Sequence, residues 1–104
     1  MYRVAAHVII VVMIENIRHR GLKRLYQLGD KSRLRPDIAG KAERFLSMLD
    51  EATTLQDIDL PRYGLHALTG DKRGFYSVTM SRNHRIIFRF EDSTAYDVDL
   101  VDYH

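Results

Sequence analysis

The chain has no cysteine, no tryptophan and only two prolines among its 104 residues. Without cysteine there is no disulfide framework and no thiolate metal site, which fits a reducing cytoplasm, where the protein is expected to reside. Nor is there a long hydrophobic run. The longest, Val8 to Ile14, stops at Glu15, well short of the roughly 20 apolar residues that a membrane helix needs. Arg3 could open a secretory signal, yet nothing after the run resembles a small-residue cleavage site. The run is nearly all β-branched, and a buried β-strand, continuing through Glu15-Asn16-Ile17, is the better reading. No membrane partner and no export segment are expected. Repeats, linkers and low-complexity stretches are missing too, and a chain of this length forms one domain with one modest core.

The apolar content of 45% is that of a globular protein, and the formal net charge is only +2. That small value conceals an asymmetry. Arg18, Arg20, Lys23, Arg24, Lys31, Arg33, Arg35, Lys41 and Arg44 crowd the first half against Asp30, Asp37 and Glu43. A basic face attracts polyanions by counterion release, which makes nucleic acid a candidate partner. The competing reading is the solvated surface of two helices.

Periodicity organises the rest. Leu22, Leu25 and Leu28, with polar residues between them, predict a short helix that Gly29 can end in a left-handed conformation. A longer helix opens near Pro36, with Asp37 at the positive end of its dipole. Its buried stripe is Ile38, Ala42, Phe45 and Leu49, flanked by Leu46, and Lys41, Glu43 and Arg44 lie elsewhere on the wheel. From Leu65 the period falls to two. Phe75 to Met80 reads as a strand and Ser81-Arg82-Asn83 as its turn. In the next strand His84, Ile86, Phe88 and Phe90 point one way, and Arg85, Ile87 and Arg89 the other. After a turn at Asp92-Ser93-Thr94, Tyr96, Val98 and Leu100 alternate with Asp97 and Asp99, which places Asp102 on the parity of Tyr96. The expected fold is α+β: two N-terminal helices on one face of a small, mainly antiparallel, twisted sheet of three or four strands. The uncovered face is where a site belongs.

Histidine titrates near neutrality and is the commonest general acid or base. His66, His84 and His104 fall in the strand-rich half. His84 shares the parity of Ile86 and Phe88 and reads as a structural ring at the core's edge. His66 sits between Leu65 and Ala67 at the start of the sheet, with polar sequence nearby, and on the residues alone a non-catalytic place is favoured over a catalytic one. No ligand spacing links His66 to His104, and neither a metal nor another cofactor is expected. Lys72, Arg73, Arg82, Arg85 and Arg89 are candidate phosphate ligands, since a guanidinium fork matches phosphate oxygens. For Arg85 and Arg89 the alternative is cross-strand pairing with Asp97 and Asp99. Gly70-Asp71-Lys72-Arg73-Gly74 follows no phosphate-loop spacing and reads as a hairpin turn, and Ser77 lacks the glycines of a nucleophile elbow.

Several segments together resemble the HigB-like toxins of bacterial type II toxin–antitoxin systems, within the RelE/ParE superfamily. They are Met13 to Leu25, Leu60-Pro61-Arg62-Tyr63-Gly64-Leu65-His66-Ala67-Leu68-Thr69-Gly70-Asp71, Gly74 to Val78, Asn83 to Phe90, Ala95 to Val98 and the terminal Asp102-Tyr103-His104. Each piece is weak by itself, and their order and spacing make the combination specific. The resemblance implies a RelE-like fold and an mRNA endonuclease that acts in the ribosomal A site. It also implies neutralisation by a helix-turn-helix, HigA-like antitoxin, with DNA reached only through that complex. By position it implies roles for His66, Arg85, Asp102, Tyr103 and His104: His66 or His104 as base, the other or Tyr103 as acid, Arg85 on the phosphate, Asp102 orienting a neighbour. The basic first half, including Lys23 and Arg24, would grip RNA backbone without reading sequence.

Two departures from the family's pattern stand out. Relatives often carry lysine at the position of Thr69, so that Lys72 or Arg73 would have to substitute. Relatives often have a basic residue at the position of Ser81, whereas here Arg82 is its neighbour. The pattern begins at Met13, so 13–104 is expected to be the toxin domain. Residues 1–12 are expected to be an N-terminal extension, either upstream of a native start at Met13 or a genuine lengthening of the first strand. The second function compatible with the fold is a ParE-like, non-nucleolytic inhibitor of DNA gyrase, which needs neither His66 nor the terminal Tyr103-His104.

Overall fold

The computed structural model describes residues 13–103. The strand expected over Val8 to Val12, the extension 1–12 and His104 therefore lie outside the described residues. Helix α1 is Arg20–Leu28, and α2 is Pro36–Glu51. At the start of α1 the His19 ring Nδ1 accepts a hydrogen bond from the Leu22 amide at 3.1 Å, doing the work of a capping carboxylate. Gly29 ends the helix at φ 69°, donating its amide to the Leu25 carbonyl while Asp30 reaches that of Arg24. Leu22 and Leu25 are buried, but Leu28, expected on the same stripe, is 66% exposed. Three-residue steps fall behind a 3.6-residue turn, and by the second step the side chain has rotated off the buried face.

Four strands follow: β1 (His66–Ala67), β2 (Tyr76–Thr79), β3 (His84–Glu91) and β4 (Thr94–Asp102). They form an antiparallel meander in the order β1-β2-β3-β4. Asp92 and Ser93, at φ 49° and 61°, close the β3–β4 hairpin as a two-residue turn whose twist suits the strands. On the far side of β4 the segment Ile14–Ile17 pairs in parallel, with Glu15 donating to the Ala95 carbonyl and Arg18 to that of Val98. This extended stretch is the part of the expected first strand that the described residues contain.

Both helices cover one sheet face. Phe45 of α2 sits at the centre, its ring 5.1 Å from Tyr63 and 5.8 Å from Phe88. Ile38, Ala42, Leu46 and Leu49 meet Val78, Ile86, Ala95 and Val98 around it. The alternation expected in β3 holds, with Ile86 and Phe88 in this core and Phe90 packed against it.

In β4 the alternation breaks. Arg89 pairs with Tyr96 but Ile87 with Asp99, so Asp97 and Val98 together face Phe88 across the strand boundary, and Asp97 sits at φ 52°. This is a β-bulge, one extra residue that turns everything after it by half a period. Ala95 and Val98 are core residues and Leu100 packs against the core, while Tyr96 lies on the other face. The expected common parity of Tyr96, Val98 and Leu100 is thus corrected, and Asp102 shares the side of Leu100 and not of Tyr96. Asn16 holds the bulge: its Nδ2 donates to Asp97 Oδ1 at 2.9 Å, and its Oδ1 accepts the Asp97 amide at 3.0 Å.

Candidate active site

The face away from the helices is built from two cross-strand rows. His66, Ser77, Ile87 and Asp99 stand in register across the four strands, and Thr79, Arg85 and Val101 form the next row. Ser77 is completely buried and Ile87 nearly so, so this face has an apolar floor and is not polar throughout. Among the described residues the Ser77 Oγ has no hydrogen-bond partner.

His66 occupies the short edge strand, exposed. Gly64, at φ 57°, takes the left-handed conformation between Tyr63, whose carbonyl accepts the Thr79 amide, and β1. The His66 Nδ1 lies 3.3 Å from the Gly64 carbonyl oxygen. A carbonyl can only accept, so the ring proton belongs on Nδ1, which leaves Nε2 as the free basic nitrogen.

Arg85 is anchored in the second row, between Thr79 and Val101. Its Nη1 donates to the carbonyls of Ser81 and His84, both at 3.2 Å. Those bonds use one nitrogen and leave the rest of the fork available. Its Cζ stands 5.4 Å from the centroid of the Tyr103 ring. Tyr103, 42% exposed, is tied down through its amide, which donates to the Asn83 carbonyl. The β2–β3 turn thus positions both partners.

Asp102 faces the other way. It pairs directly with His84 across β3 and β4 and lines a shallow cleft on the helix side with His19, Arg33 and Arg35. His84 is the structural ring expected from its parity, its Nδ1 2.9 Å from Ser81 Oγ.

The expected phosphate ligands are scattered. Arg82 is exposed in the β2–β3 turn. Lys72, whose ammonium lies 5.6 Å from the Phe75 ring centroid, and Arg73 belong to the β1–β2 hairpin, a separate part of the sheet edge. Arg89 is paired with Asp97 at 3.6 Å, and Arg24 with Asp30 at 3.0 Å. Lys23 is exposed on α1 beside Ile14–Ile17. The structure therefore gathers His66, Arg85, Tyr103 and Arg82 around one face and one end of the sheet. Lys23 and Arg24 lie elsewhere, and Arg89, farther along the same face of β3, is held by Asp97.

Sequence reasoning passed over a second group of cations. Lys41 of α2 donates to the Arg62 carbonyl at 3.1 Å. Burial first, and then the charges of Arg44, Arg62 and Arg85, hold its pKa below the ordinary lysine value. No linear signal marks this set, because Lys41 and Arg44 sit on a helix face that reads as solvated. Among the described residues no three histidine or carboxylate side chains come together as a metal site, and no helix is long and apolar enough to cross a membrane.

A two-helix layer on a four-stranded antiparallel meander agrees with a RelE-like fold. The family model described as the RelE-like toxin of type II toxin–antitoxin system HigB matches residues 15–104, and the chain belongs to that family. Endoribonuclease HigB from Proteus vulgaris is 35% identical over 92 residues, which cover 88% of this chain and 100% of the relative. A type II toxin has an antitoxin as its partner, and the chain is accordingly a toxin of that kind.

Proposed function

We propose that the chain is an endoribonuclease that cleaves mRNA on the ribosome and so blocks translation. The observation that carries this reading is the stacking of Arg85 against Tyr103 on the sheet face that also bears His66. The name of the Proteus vulgaris relative supports it, and the family match favours it over gyrase inhibition. In the step proposed, a base takes the proton of a ribose 2′-OH and the 2′ oxygen attacks the neighbouring phosphorus. The bond to the 5′ oxygen breaks, and an acid protonates that oxygen. The products are a 2′,3′-cyclic phosphate and a 5′-OH. No metal is required. His66 Nε2 or His104 acts as base, and the other, or Tyr103, as acid.

Arg85 stabilises the charge that builds on the phosphate, and its ring contact with Tyr103 holds the two in one geometry. Asp102, on the far side of β4, is a positioning residue and touches no reacting atom. Arg82 is placed to contact flanking phosphates, with Lys72, Arg73, Lys23, Arg24 and Arg89 farther out. A helix-turn-helix antitoxin of HigA type is the proposed partner, and DNA is reached only through that complex.

Primer extension on mRNA after induction tests the reading. Cuts are expected only in translated messages. His66→Ala should slow cleavage by about 10²–10⁴-fold, the usual worth of a positioned acid or base, and Arg85→Ala by about 10²–10³-fold. Loss of DNA supercoiling without cuts would establish the gyrase reading instead. Unchanged cleavage in both variants would sink the assignment of roles.

A further inference from the structure

Five ion pairs occupy Arg18, Arg24, Lys31, Arg35 and Arg89 among the described residues. Within the same set Lys41, Arg44, Arg62 and Arg85 make none, although they come from three different elements and lie close enough to act on one charge. Two of them share one ring. The Lys41 ammonium is 5.5 Å and the Arg62 guanidinium 5.9 Å from the centroid of Tyr63, whose side chain is buried against Phe45. Tyr63 therefore acts as a rigid platform under two cations. One ammonium proton of Lys41 goes to the Arg62 carbonyl, which leaves two donors and fixes the loop that carries Arg62.

Gathering like charges without a counter-charge works against folding. A bound anion would cancel that repulsion. Here the anion is defined by its surroundings: the Tyr63 carbonyl accepts the Thr79 amide and Thr79 pairs with Arg85 in the next strand, so the cluster sits at the sheet edge near the arginine that stands beside Tyr103. We infer that Lys41 and Arg62, braced on Tyr63, form a second phosphate subsite that holds a phosphodiester of the RNA strand next to the one reacting at Arg85. This rests on the nuclease reading for the position of the reacting phosphate, but the binding it describes needs no cleavage. The occupant is a backbone phosphate, recognised by charge and hydrogen bonds and without regard to base. The subsite sets how the strand runs away from the reacting bond, which is a matter of register and not of chemistry.

Fluorescence anisotropy of the full chain with a non-cleavable 2′-O-methyl oligoribonucleotide, over a series of salt concentrations, tests the inference. Lys41→Gln and Arg62→Gln should each weaken binding about five- to tenfold. The slope of log affinity against log salt should fall by about 0.7 for each cation withdrawn from a phosphate. Lys41→Arg should restore most of the affinity.

Arg62 is exposed and its backbone carbonyl survives substitution, so Arg62→Gln remains informative if Lys41→Gln unfolds. Wild-type slope and affinity in Arg62→Gln would overturn the inference. So would an effect confined to antitoxin binding, which would make the cluster a protein-docking patch. The outcomes separate from those of the nuclease reading. A wild type that binds RNA through these residues without cutting any message defeats the cleavage proposal alone. One that cuts while Arg62→Gln binds normally defeats the subsite alone.

Discussion

The bulge at Asp97 decides which face Tyr103 lies on, so loosening it should affect both stability and the site. Asn16→Ala is the cleanest perturbation, because Asn16 is exposed and fills no part of the core. It deletes two hydrogen bonds, one from Nδ2 to the Asp97 carboxylate and one from the Asp97 amide to Oδ1. A neutral bond is worth about 1 kcal/mol net, and the charge-assisted one, with its carboxylate near solvent, is discounted to about the same. The expected loss is about 2 kcal/mol, or about 8–15 °C in Tm for a domain of this size. Asp97→Ala removes the shared bond, two ion pairs to half-exposed Arg18 and Arg89, and the polar side chain that tolerates a left-handed backbone. The ion pairs add about 0–1 kcal/mol each, so about 2–3 kcal/mol is expected. Both variants lose the bond between the two side chains, and the double variant should fall short of additivity by about 1 kcal/mol.

The pH dependence carries a definite sign. The hydrogen bond from Asn16, followed by the charges of Arg18 and Arg89, holds the Asp97 carboxyl below its ordinary pKa. Its contribution is therefore complete above the unfolded value near 4 and is lost as pH falls through the lower folded one. The cost of Asn16→Ala should shrink in acid. Chemical denaturation of the single and double variants, at neutral pH and at about pH 3, measures each quantity. An Asn16→Ala cost below about 0.5 kcal/mol, with additive singles, would refute the argument that this clamp maintains the bulge.

Two further outcomes follow from other parts of the structure. Burial, and then the hydrogen bond to Asp50 at 2.7 Å, push the Tyr26 hydroxyl up to about 12. Its contribution to stability should be intact below about pH 10 and vanish as pH rises toward 12, and Tyr26→Phe should remove a step near pH 12 from a tyrosinate absorbance titration. Phe45→Ala empties the contact between Tyr63 and Phe88. A cost of about 3–5 kcal/mol is expected from thermal or denaturant unfolding, a large share of what a domain this small can hold. A cost near 1 kcal/mol would show that the core closes over the gap.

The sequence by itself determined the two-layer plan. Apolar residues at helical spacing in α2 and the alternation of β3 each commit a backbone to one buried face, and such local periodicities survive folding because burial rewards them. It also supplied Gly29 as a helix stop and His84 as a ring at the core's edge. Its phosphate candidates were read from residue type alone, and type does not say which cations are already neutralised. Only the tertiary structure showed that Arg24 and Arg89 are paired, and that Lys41 and Arg62 share the Tyr63 ring without a carboxylate partner among the described residues. The parity of β4 was legible up to Tyr96 and no farther. The signal for the bulge is a side chain from Asn16, distant along the chain, gripping Asp97 in a left-handed conformation that no alternation rule anticipates. That long-range contact turns Tyr103 toward Arg85 and Asp102 toward His84. A strand's period is local, whereas the place where it skips is set by what packs beside it.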